Sequence, residues 1–83
     1  MGEFERAREL DEDMLARQRR ALGESHPDTL DSAARLALSL SSVGEHRRAQ
    51  ELIEDVLVRR RRVFADDHPD IVRTVAILAI IAQ

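Results

Sequence analysis

The chain has 83 residues, a formal net charge of −3, three His, two Phe and no Cys, Trp or Tyr. That length is one small domain or a fragment of a longer one, a size that buries little surface without disulfides, metal or association. The composition excludes a disulfide framework, a thiolate zinc site and an aromatic platform for stacking bases or sugars, and the acidic balance argues against nucleic acid as a partner.

The first predicted helix covers residues 3–22. Its apolar positions, Ala7, Leu10, Met14, Leu15 and Leu22, recur at the spacing of one helical face. Gly23 can then take a left-handed conformation that closes the helix. His26-Pro27-Asp28 starts a second helix, 27–42. Proline at the first helical position loses no hydrogen bond, and Asp28 in the first turn suits the helix macrodipole. That helix carries Leu30, Ala33, Ala34, Leu36, Ala37 and Leu40 and stops near Gly44. A third helix, 45–64, has the stripe Ala49, Leu52, Ile53, Val56 and Leu57. Ala65 stands where Gly23 stood, which costs about 1 kcal/mol if the same geometry is kept. His68-Pro69-Asp70 then starts the fourth helix, 69–82. No strand-like alternation occurs, so the expected class is all-α.

Shifting the chain by 42 residues superimposes Gly2 on Gly44, Ala7 on Ala49, Leu10 on Leu52, Leu15 on Leu57 and both His-Pro-Asp triplets. Matches over the whole overlap mean duplicated architecture and not a short recurring motif. One position breaks the pattern: Asp11 stands where Ile53 is expected, so that face of the first helix should be less buried than its counterpart.

With Leu36-Ala37, Gly44, Ala49, Ile53, Val56 and His-Pro-Asp at this spacing, the chain resembles the tetratricopeptide repeats of kinesin light chains and many bacterial regulators. The resemblance implies antiparallel helix hairpins stacked as a right-handed superhelix, without cofactor or catalysis, that offers a scaffold to a protein or peptide partner. The asparagine pair with which the family clamps a peptide backbone is replaced here by Ala34-Arg35 and Ala76-Ile77. Residues 1–83 read as one such helical domain. A complete pair, 27–64, is flanked by half-repeats 1–26 and 65–83, as in a fragment of a longer array or a self-associating short chain.

His26 with Asp28 and His68 with Asp70 have metal-ligand character, but stacked repeats hold equivalent turns about 10 Å apart, and neither pair has further ligands. Arg17, Arg19 and Arg20 with Arg59 to Arg62 form a ridge for anions or nucleic acid if unpaired, the alternative to a protein-binding role. The acidic first turns and the i, i+4 pairs Asp13–Arg17 and Asp55–Arg59 instead indicate self-paired helix faces. No nucleophile, base and oxyanion donor cluster, so no enzyme is expected. The N-terminus is not a secretory signal or a myristoylation pattern, and the apolar run 74–82 is well short of the ~20 residues of a membrane span. A cytoplasmic protein is expected.

The last helix is apolar nearly all round. Ile71, Val72, Val75, Ile77, Leu78, Ile80 and Ile81 are therefore the expected self-association surface, most simply of a two-fold dimer. Leaving three such side chains in water forfeits roughly 5–9 kcal/mol. A ligand groove is expected along the helix 27–42, at Asp31, Ala34, Arg35, Leu38 and Ser41, with Ala76, Ile77 and Ile80 on the last helix and Arg35 as the anchor for a carboxylate.

Overall fold

In the computed structural model, which describes residues 2–83, four α-helices run in order: α1 (Glu3–Leu22), α2 (Pro27–Ser42), α3 (His46–Arg61) and α4 (Pro69–Ala82). Both His-Pro-Asp corners are built alike. The His backbone is extended, and its ring Nδ1 accepts the N–H of the Asp two residues on, at 3.1 Å for His26 and 3.0 Å for His68. A free N–H of the first turn is thereby satisfied by an imidazole, the task usually done by Ser, Thr, Asp or Asn. Proline at the first helical position supplies the preset φ.

The helix ends differ, and the difference traces to one residue. Gly23 takes φ +90° and donates its N–H to the Arg19 carbonyl, so α1 runs to Leu22. Ala65, its repeat equivalent, stays at negative φ, as does every non-glycine residue described. Unable to close in the same way, α3 stops at Arg61, three residues short of the expected 64. The Phe64 N–H turns back to the Arg60 carbonyl at 2.9 Å, and the Phe64 ring stacks on His68 with centroids 3.9 Å apart. The φ of +88° at Gly44 closes α2 in the manner expected of it.

Short turns make consecutive helices pack as hairpins: α1 lies on α2, α2 on α3 and α3 on α4, while α2 also touches α4. The slab is 18 Å thick, close to two helix diameters of about 10 Å, with α2 and α4 in one layer and α1 and α3 in the other. Its core lies where α2 and α3 meet: Ala37, Leu40, Ala49, Ile53 and Val56 have 0–1 % of their surface exposed. This central pair has a neighbour on each side. By contrast, α1 packs closely only on α2, α3 reaching it through ion pairs alone, and of its stripe only Leu15 is buried.

Polar links repeat with the same period. Gln18 of α1 receives the Ser32 hydroxyl of α2, and its equivalent Arg60 of α3 donates to the Thr74 hydroxyl of α4 at 2.8 Å. Asp11 accepts from the Ser39 hydroxyl at 2.6 Å, whereas the equivalent pair, Ile53 and Ile81, is apolar and buried. The anomalous Asp11 is thus one half of a polar pair that replaces an apolar one.

Candidate functional site

Between α2 and α4, with Arg60 reaching in from α3, runs an open groove of about 340 Å³, lined by Asp31, Ala34, Arg35, Leu38, Arg60, Arg73 and Ile77. The α2 positions follow from helical spacing, since 31, 34, 35 and 38 share one face. Ala34 is buried and forms part of the floor, while Asp31, Arg35 and Leu38 stand at the surface. Ser41 lies outside the lining, its hydroxyl 3.4 Å from His46 Nδ1.

The charges in the groove are mostly committed. Arg60 is 5 % exposed, and its guanidinium reaches Asp31 at 2.6 Å as well as Thr74. The Thr74 hydroxyl in turn donates to the Asp70 backbone carbonyl at 2.6 Å. One buried arginine therefore ties α2, α3 and α4 together. Arg73 pairs with Asp70, and the hydrogen bond from Arg73 holds the Asp70 carboxyl below the usual aspartate range. Arg35 makes no ion pair among the described residues. The groove thus offers one uncommitted guanidinium beside an apolar floor of Ala34, Leu38 and Ile77.

Arg60 and Arg73 were not picked out as groove residues in the sequence. A signal for Arg60 exists: it continues the buried row 49, 53, 56, 60, as Gln18 continues 7, 11, 14, 18. A charged residue in such a row announces a polar link between helices.

The positions on α4 divide. Ile71 and Ile81 are 1 % and 4 % exposed and face into the chain, so they are not available to a partner. Ile77 and Leu78 are half-buried against the core. Val72, Val75 and Ile80, at 55 %, 43 % and 61 %, form the outward face. A second apolar surface lies at the opposite end, on α1, where Phe4, Leu10 and Met14 are exposed.

Most arginines of the supposed ridge are paired. Arg17 meets Asp13 and Arg59 meets Asp55, both at 2.9 Å, while Arg19 meets Glu24 at 3.2 Å and Arg61 meets Asp66 at 3.5 Å. A separate network joins α1 to the start of α3. Glu12 takes both Arg8 and Arg48, and Glu45 takes Arg48 at 3.1 Å. The bond from Arg48, helped by Arg8, holds the Glu12 carboxyl below the ordinary glutamate range. Among the described residues, no three His, Asp or Glu side chains converge as metal ligands, and no helix is long and apolar enough to cross a membrane.

A family model for the tetratricopeptide repeat matches residues 1–28 and 29–70. The second match spans one full period, from the second residue after Pro27 to Asp70. No curated protein and no solved structure matches the chain. The matched segments, the helix hairpins and the repeated corners agree: this chain belongs to the tetratricopeptide repeat family, whose members serve broadly as scaffolds for protein–protein contact.

Proposed function

We propose that the chain is a non-catalytic protein-interaction module that associates with itself through the outward face of α4. The observation that carries this reading is the exposure of Val72, Val75 and Ile80 on a helix whose inner face is already committed to the core. Fully covering an exposed side chain of this kind contributes roughly 1.5–3 kcal/mol. These three are about half exposed, so the face supplies a driving force of a few kcal/mol towards association, set against the freedom that association costs. A further protein or peptide partner is accommodated by the groove on α2, where Arg35 would receive a carboxylate and Leu38 and Ile77 an adjacent apolar group. Paired arginines supply no specific observation in favour of an anion-binding reading.

Light scattering on the purified chain tests self-association. A mass above the 9.4 kDa of one chain is expected in the micromolar range, with return to that mass in Val75→Glu at unchanged helicity. A well-folded parent monomer across that range overturns the self-association.

A further inference from the structure

Resting on that self-association, we infer that copies stack head to tail, with α1 and α2 of one copy covering the outer face of α4 of the copy before it. The 42-residue offset makes α4 the equivalent of α2, and α1 the equivalent of α3. Within the chain α2 and α3 bury one another. Leu30, Ala33 and Ala37 of α2 are 6 %, 3 % and 0 % exposed, but their α4 equivalents Val72, Val75 and Ala79 face solvent. Ala49 and Val56 of α3 are at 0 %, yet their α1 equivalents Ala7 and Met14 are exposed. The two ends of the molecule thus present the two halves of an interface that its middle already contains.

The charges agree in register. Three ion pairs link α1 and the turn after it to α3: Glu12–Arg48 at 2.8 Å, Glu24–Arg59 at 3.6 Å and Arg8–Glu45 at 3.9 Å. Advancing each by one period sets Glu54 against Arg6 of the next copy and Asp66 against Arg17 of the next copy, opposite charges in both cases. The third becomes Gln50 against Glu3, a donor against an acceptor. The local partners are already in place: Arg17 holds Asp13 as Arg59 holds Asp55, and Asp66 holds Arg61 as Glu24 holds Arg19. Arg6 makes no ion pair among the described residues. A two-fold junction of α4 on α4 uses none of these charges and leaves Ala7, Leu10 and Met14 bare. A head-to-tail contact is heterologous, so assembly continues unless the rotation closes a ring.

Two blocked variants test the inference. Val75→Glu disables the α4 face and Met14→Glu the α1 face. Both sites are nearly half exposed, at 43 % and 46 %, so neither change burdens the fold of the single chain. The parent should grow in mass with concentration, and each variant alone should stay at 9.4 kDa. Their equimolar mixture should give a 1:1 pair, because each retains the face the other lacks. Leu10→Glu, at 61 % exposure, repeats the α1 arm independently, and circular dichroism verifies folding of every variant. If the α1-face variants still dimerise alone while Val75→Glu does not, the stack is overturned but self-association stands. A monomeric parent overturns both, and variants that each associate like the parent overturn the assigned faces. For the register, Arg6→Glu and Glu54→Arg should each weaken association by up to about fivefold, and a mixture of the two should restore it. No restoration contradicts the register.

Discussion

Replacing Arg60 tests how the repeats are held together. In Arg60→Ala the Thr74 hydroxyl, which is completely buried, loses its donor but still donates to Asp70, a loss of about 1 kcal/mol. The Asp31 carboxylate is 63 % exposed, so water takes over there and the screened pair contributes at most about 1 kcal/mol. Loss of the buried aliphatic stem adds about 1 kcal/mol. The total is about 2–3 kcal/mol, a large share of the stability of a small domain. Arg60→Gln should behave otherwise. Gln18 occupies the equivalent site and holds the Ser32 hydroxyl, so a glutamine at 60 can keep both the stem and the Thr74 contact, losing about 1 kcal/mol or less. Urea unfolding followed by circular dichroism reads both values, at one protein concentration because association adds to apparent stability. If Gln is as damaging as Ala, the equivalence of the two inter-helix links is wrong.

Three further outcomes are expected. His26→Ala should cost about 1 kcal/mol in the same unfolding assay, and His26→Asp close to nothing, because aspartate also accepts a first-turn N–H. Asp11→Ile alone leaves the Ser39 hydroxyl without its acceptor and should cost about 1 kcal/mol. Asp11→Ile with Ser39→Ile recreates the Ile53 and Ile81 pair and should be at least as stable as the parent, so a double variant worse than the sum of the singles refutes the correspondence. The lowered Glu12 pKa means that its ion pairs stabilise the fold above the ordinary glutamate value of about 4.3, and that this contribution is lost as pH falls through the lower folded value. Glu12→Gln should therefore be less stable at neutral pH and lose less on acidification, as thermal melts across that range would show.

The sequence carried the helices and their pairing because each depends on local spacing. Period 3.6 marks the stripes, Pro27 and Pro69 mark two starts, and Gly23 and Gly44 mark two ends. The early end of α3 was less accessible, since Ala65 signals that the glycine closure is missing but not where the helix then stops. The links made by Arg60, Gln18, Asp11 and Ser39 are hidden in the sequence because their partners lie 11 to 29 residues away, and only packing brings them together. On α4 composition announced a helix with too much apolar surface. It could not say that Ile71 and Ile81 turn inward while Val72, Val75 and Ile80 turn out, because that depends on where α3 lies. The groove on α2 was legible by face, but Arg60 and Arg73 enter it from other helices.

The claim that copies cover one another's open ends is tested most directly by amide hydrogen exchange of the parent chain across a dilution series in the micromolar range. Protection of α1 and α4 should rise together with protein concentration, as both ends become buried in the stack. A rise in α4 alone would contradict the head-to-tail contact, and exchange independent of concentration in both helices would contradict association itself.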